Sequence, residues 1–189
     1  MLFEDKLSDI IRTLESDGVL LHATDTVWGL ACSSLSRAGI DKIYRIKHRD
    51  ANKPILMLVD SVSMLKRYVP HIHPRIETLL HFHKKPLTVV YPKVAKLPNY
   101  SLARDGSAAI RITSDPFTSH IIRLLGCPLM STSANISNEP TAQSYSEVST
   151  KILEDVDFIS KHRKSEILLG KPSVMIDYNN KGEINFLRL

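Results

Sequence analysis

Apolar residues in this chain come in short runs of two different periods, and that mixture limits the folds open to it more than any other feature. The runs 54–59, 87–91, 107–113, 128–132, 156–160, 173–178 and 183–188, with Val19-Leu20-Leu21-His22-Ala23, read as strands. Helical spacing recurs near 37–47, 61–69, 74–83, 116–125 and 144–154. The chain also opens on a helix, with Phe3, Leu7, Ile10, Ile11 and Leu14 on one face and Gly18 as its stop. The order is not a strict alternation, and Asn179-Asn180-Lys181-Gly182 between the last two strands reads as a hairpin. A hairpin requires an antiparallel pair, so the pattern predicts an α/β fold built on a twisted mixed β-sheet with flanking helices. No repeat, linker or low-complexity tract divides the 189 residues, which predicts a single domain over 1–189.

Composition removes several classes. A hydrophobic fraction of 43% and a charged fraction of 24% are ordinary globular values. Glu4, Asp5 and Asp9 interrupt the first ten residues, and no apolar run approaches the ~18 residues that span a bilayer, so a cytoplasmic protein is expected. Cys32 and Cys127 lie among apolar neighbours with no second thiol nearby, and read as reduced core residues. The net charge of +5 favours an anionic partner without identifying it.

The seven glycines have neither Walker-loop nor dinucleotide-fingerprint spacing, and Gly-x-Ser-x-Gly, His-Glu-x-x-His and Cys-x-x-Cys are all missing from the sequence. What remains are polar segments that follow apolar runs, where ligand sites favour strand ends. Thr24-Asp25-Thr26 could orient a polar substrate or simply make a turn. Lys47-His48-Arg49-Asp50-Ala51-Asn52-Lys53-Pro54 brings three cations onto one loop, either to grip a polyphosphate or to complement a helix dipole. Ser131-Thr132-Ser133-Ala134-Asn135-Ile136-Ser137 offers small side chains and backbone donors as a neutral anion cradle. Arg111, inside the apolar strand Ala108–Thr113, needs an anion, supplied by an internal salt bridge or by a substrate carboxylate. Ser173 and Arg188 are weaker candidates of the same kind. The pairs His71-x-His73 and His81-x-His83 diverge on a helix and read as solvated surface rather than metal ligands.

Taken together, Thr24-Asp25-Thr26-Val27-Trp28-Gly29-Leu30, Lys47-x-Arg49, Pro86-Leu87-Thr88, Ala109-Ile110-Arg111 and Ser131-Thr132-Ser133-Ala134-Asn135 resemble the YrdC-like (TsaC-type) threonylcarbamoyl-AMP synthases, in the same order. The resemblance implies a YrdC-like (DHBP-synthase-like) fold with a concave, positively charged face, in the short single-domain bacterial form. It implies a nucleotidyltransferase that joins L-threonine, bicarbonate or CO2, and ATP into threonylcarbamoyl-AMP and pyrophosphate. The product would pass to a separate threonylcarbamoyl-transferase complex for N6-threonylcarbamoyladenosine formation at tRNA position 37. By motif position, Lys47, Arg49, Lys53, Ser133, Asn135 and Arg188 would bind ATP, with Lys47 and Arg49 catalytic; Thr26, Arg111, Ser131 and Ser173 would bind threonine. Mg2+ would accompany ATP on its phosphates, with no metal site in the protein. His22-Ala23, Asp50, Leu58 and His83-Lys84-Lys85 depart from the family pattern, Leu58 replacing a pocket His found in some relatives. Two other readings remain: a non-catalytic double-stranded RNA-binding module, for which tRNA or dsRNA contact would be expected, and a carbamoyl-adenylate activity of the kind found within larger multidomain proteins.

Overall fold

A computed structural model describes residues 3–168, 170 and 172–188. The first helix, α1 (Leu7–Glu15), lays Ile10 and Leu14 into the core and leads into β1 (Leu20–Ala23). A tight turn returns the chain as β2 (Trp28–Ser33), a strand that the sequence pattern did not reveal. All six of its residues are buried and four are small or polar, so neither alternation nor β-branched side chains mark it. Then follow α2 (Arg37–Ile46), β3 (Leu56–Val59), α3 (Val62–Tyr68), α4 (Pro74–Phe82), β4 (Leu87–Tyr91), β5 (Ala108–Ile112), α5 (Pro116–Leu125) and β6 (Leu129–Ser133). The helix expected over 144–154 is shorter, α6 (Thr150–Asp155), preceded by a 3-10 turn at Tyr145–Glu147. The chain continues with β7 (Phe158–Ile159), β8 (Val174–Tyr178) and β9 (Ile184–Arg188).

The helix starts are written locally. Ser36 accepts from Gly39 N at 2.8 Å, Ser61 from Met64 N at 3.1 Å, and Asp115 from Thr118 N at 2.8 Å just before Pro116. Gly126, at φ 76°, ends α5 in the left-handed conformation that favours glycine.

Among the described residues the nine strands form one mixed sheet, in the order β7-β1-β2-β6-β3-β5-β4-β8-β9. Pairs β1/β7, β3/β5 and β4/β8 are parallel and the rest antiparallel, including the expected hairpin β8/β9. Helices α1, α2 and α5 supply Ile10, Leu14, Ile40, Ile43, Phe117 and Ile121 to a core shared with Leu20, Leu30, Met57 and Val89. Among the described residues no helix is long and apolar enough to cross a membrane.

Candidate functional site

Strand register assembles the site before any loop is considered. Paired residues share a sheet face, and so do residues two apart on a strand. Leu58 pairs with Arg111, Arg111 with Thr88, Thr88 with Met175 and Met175 with Arg188, which makes one row across β3, β5, β4, β8 and β9. On the same face Leu56 pairs with Ser131, and Ser133 pairs with Gly29. A cavity of about 460 Å3 opens over these rows, within the ~300–1,000 Å3 usual for small-molecule sites. Among the described residues its charged lining consists of Arg49, Arg111 and Arg188, with hydroxyls from Thr24, Thr26, Ser131, Ser133 and Ser173 among the rest and no carboxylate.

The turn joining β1 to β2 is locked by Thr24, whose Oγ1 accepts from Thr26 N (3.1 Å) and Val27 N (3.2 Å) and donates to Val27 O (2.7 Å). This leaves Asp25 and Thr26 facing Arg111. Arg111 Nη2 lies 3.0 Å from Asp25 Oδ1, and Nη1 donates to Thr26 Oγ1 at 3.2 Å. The two charged side chains are 5% and 6% exposed, so this is a buried ion pair and Asp25 is the internal partner that Arg111 required. Asp25 Oδ2 also accepts from Ser114 N and Oγ, both at 3.1 Å. Arg111 Nε is buried with no partner, one unused donor at a surface that lines the cavity. Burial lowers the Arg111 pKa; Asp25 opposes the shift and the neighbouring Arg188 adds to it.

Lys47 terminates α2, and His48 turns the chain at φ 48°, sending Lys47 inward and Arg49 outward. The Lys47 side chain is 1% exposed. Its ammonium donates to Ser133 O, to Asn135 O at 2.6 Å and to Asn135 Oδ1 at 3.3 Å. Ser137 N in turn donates to Lys47 O at 2.9 Å. The basic loop and the Ser-rich turn are thus joined, through a lysine that sits behind the cavity wall rather than in it. Burial, then the neighbouring Arg49, brings the Lys47 pKa down to about 8.

At the other side, Ser173 Oγ and Thr88 Oγ1 lie 2.7 Å apart, and Arg188 donates to Ser173 O (3.0 Å) and Oγ (3.1 Å). The connection from β7 to β8 reaches the site on its way, and Arg163 Nη1 donates to Thr24 O at 3.0 Å. At Gly170 a Cβ would overlap the Thr26 carbonyl group. Gly170→Ala should therefore lower stability by about 1–3 kcal/mol through overpacking, read as the shift in denaturant midpoint.

The cavity brings together Thr26, Arg111, Ser131 and Ser173, all four of the expected threonine ligands, and also Arg49, Ser133 and Arg188. Lys47, Asn135 and Lys53 do not line it. Lys53 is exposed, and its carbonyl accepts from Arg49 Nε at 3.1 Å while Pro54 O accepts from Nη2 at 3.0 Å. Asn135 turns back on its own loop, with Nδ2 donating to Ile136 O (3.0 Å) and Glu139 O (2.7 Å). The backbone donors expected to cradle an anion are used inside the fold: Ala134 N bonds Trp28 O, Asn135 N bonds Ser133 O and Ser137 N bonds Lys47 O. Buried N–H groups seek partners, and this turn finds them in β2 and α2. Leu58 is fully buried beside Arg111 and does not reach the cavity. His73 caps α4, its Nδ1 accepting from Arg75 N at 3.2 Å, and its half-buried ring packs near Tyr178. Sequence reasoning did not join Asp25 to Arg111, because 86 residues separate them and only the fold makes them neighbours. Among the described residues no group of three or more His, Cys, Asp or Glu could hold a metal ion.

Residues 12–189 match the family Sua5_yciO_yrdC, described as "Telomere recombination". The threonylcarbamoyl-AMP synthase of Xanthomonas euvesicatoria pv. vesicatoria (strain 85-10) is 30% identical over 154 residues, 80% of this chain and 82% of that protein. The crystal structure of P. abyssi Sua5 complexed with L-threonine superposes with a TM-score of 0.84 at 24% identity, covering 96% of this chain and 53% of the other. This chain therefore spans about half the length of that Sua5. E. coli YciO gives a TM-score of 0.81 at 21% identity, covering 96% and 87%. At these identities both structures speak for the fold, a twisted mixed α/β sheet.

Proposed function

Because the chain belongs to the Sua5/YciO/YrdC family, we propose that it is an L-threonylcarbamoyladenylate synthase acting on L-threonine, bicarbonate or CO2, and ATP. The observation that carries this reading is the cavity that, among the described residues, is lined by three arginines, several hydroxyls and no carboxylate, a lining suited to ATP and to the carboxylate of threonine. The relatives named threonylcarbamoyl-AMP synthase, matched over most of both chains, support it.

In this reading threonine lies over β5, its carboxylate at the Arg111 guanidinium and its hydroxyl among Thr26, Ser131 and Ser173. Its neutral amine adds to CO2, losing one proton, to give a carbamate; starting from bicarbonate the same step releases water. A carbamate oxygen then attacks the α-phosphorus of ATP in line, forming the mixed anhydride as the bond to pyrophosphate breaks. Magnesium enters with ATP and is held by its phosphates. No side chain in the cavity is an evident covalent nucleophile, so the protein contributes positioning and fixed positive charge. Arg49 at the rim faces the phosphates, and Arg188 with Ser173 fixes the far side. Lys47 acts through the Ser133–Asn135 turn that it holds. The product serves N6-threonylcarbamoyladenosine formation at tRNA position 37, after transfer to a threonylcarbamoyl-transferase complex.

The test is pyrophosphate release with each substrate omitted in turn. Release that needs threonine, bicarbonate and ATP together is the expected result. Release that proceeds without threonine, or that requires carbamoyl phosphate instead of bicarbonate, would overturn the assignment.

A further inference from the structure

Residues 160–163, on the connection from β7 to β8, are tied down more heavily than a surface loop requires. Asp5 is buried and accepts from Ser160 Oγ (2.7 Å), Lys161 N (2.9 Å) and His162 N (3.1 Å). The His162 ring stacks on Phe117 at 4.3 Å between centroids, and its Nε2 lies 3.3 Å from Asp115 Oδ1. Arg163 follows at φ 56°, in the left-handed region that residues with a Cβ occupy only at a cost. Glu166 Oε2 accepts from Arg163 Nε at 2.7 Å and orients the guanidinium, whose Nη1 donates to Thr24 O at 3.0 Å.

Thr24 O is a carbonyl that its own turn leaves unsatisfied. In an ordinary β-turn it would accept from Val27 N; here Val27 N and Thr26 N both go to Thr24 Oγ1, and the carbonyl finds its donor in Arg163, 139 residues away. The next two residues are the ones that meet Arg111, Asp25 through the buried ion pair and Thr26 through its hydroxyl. Arg163 itself does not line the cavity, so it touches no substrate in the proposed reaction.

We propose that Arg163 is a positioning residue of the threonine pocket: anchored through Asp5 and Asp115, it holds the Thr24 carbonyl and so sets Asp25 against Arg111 and the Thr26 hydroxyl at the cavity wall. Glycine would adopt this backbone without cost, so what the arginine supplies is its side chain, and among the described residues that side chain bonds only Glu166 and Thr24 O. A turn released from Arg163 shifts Asp25 and Thr26 relative to Arg111. That weakens threonine binding in the ground and transition states alike, and leaves ATP at Arg49 undisturbed. The inference rests on the threonine reading of the cavity.

Arg163→Gly separates this role from a structural one. It removes the guanidinium and relieves the left-handed backbone together, so the denaturant midpoint should stay at the wild-type value or rise. KM for threonine should nevertheless rise by about 10-fold, with kcat and KM for ATP within about 2-fold of wild type. Arg163→Lys keeps a cation on the same backbone and should bring the threonine KM back to within about 3-fold of wild type. Lys96→Gly makes the same kind of exchange at φ 61° in the 92–98 loop, and should change neither KM. An unchanged threonine KM in Arg163→Gly would overturn the proposal, as would an equal rise in Lys96→Gly or in KM for ATP, or a rise that comes with a lowered midpoint. The wild type in the same assay keeps the two readings apart. Threonine-dependent pyrophosphate release with a normal threonine KM in Arg163→Gly defeats the positioning role alone, whereas wild-type release that ignores threonine defeats the reading of the cavity on which it rests.

Discussion

Lys47→Ala is expected to lower threonine-dependent pyrophosphate release by about 100-fold or more, the scale on which loss of a preorganised electrostatic group acts. Its ammonium is ringed by Ser133 O, Asn135 O and Asn135 Oδ1, so the substitution leaves Asn135 O without its donor, strips one of two donors from each of the other acceptors, and frees the turn that carries Ser133 to the cavity. Each buried acceptor left unpaired costs about 1–3 kcal/mol, so a lower denaturant midpoint should accompany the loss of rate. The wild type should show the same dependence through pH. With a pKa of about 8, Lys47 is charged at neutral pH and loses its proton as pH rises through 8, so the rate should fall on that limb. The sign for stability is opposite. The unfolded chain keeps this proton up to its ordinary pKa near 10.5, so between about 8 and 10.5 the unfolded state binds more protons and this group's contribution to stability rises. A falling rate without a falling midpoint in that window would therefore point to the turn and not to unfolding. Near-normal turnover in Lys47→Ala would remove Lys47 from the machinery altogether.

Much of the fold was legible because its signals are local. Helix periodicity and the Asn-Asn-Lys-Gly hairpin each depend on a few adjacent residues, and apart from the shortened α6 each appears where the sequence placed it. β2 was not legible, because Trp28-Gly29-Leu30-Ala31-Cys32-Ser33 is buried on both faces and has no alternation to read. The site divides in the same way. That Arg111 needed an anion followed from a guanidinium in an apolar strand; that the anion is Asp25 required the β5–β3 and β1–β2 pairings, which no spacing encodes. The basic loop and the Ser-rich turn were both recognisable, but their roles were not. Which of Lys47 and Arg49 points inward depends on the left-handed turn at His48, a conformation that a non-glycine residue adopts only in context.

Arg111→Met should produce the largest loss of stability, about 3–5 kcal/mol, because it leaves Asp25 as an uncompensated buried charge. The companion change Asp25→Asn removes that charge, so the double variant Asp25→Asn/Arg111→Met should recover most of the denaturant midpoint. Threonine use should not recover with it. In the proposed site the guanidinium meets the substrate carboxylate, and neither Met nor Asn replaces that contact; KM for threonine should stay raised by about 10-fold or more in the double variant, as for a lost charge-assisted hydrogen bond. The pair thus separates two roles that a single substitution confounds. Arg111 compensates Asp25 within the fold, and its unpaired Nε, beside the second guanidinium of Arg188, leaves the cavity floor with positive charge in excess. If the double variant regained both midpoint and threonine KM, the ion pair would be purely structural and the amino-acid carboxylate would have to bind elsewhere, with Arg188 as the next cation along the same row.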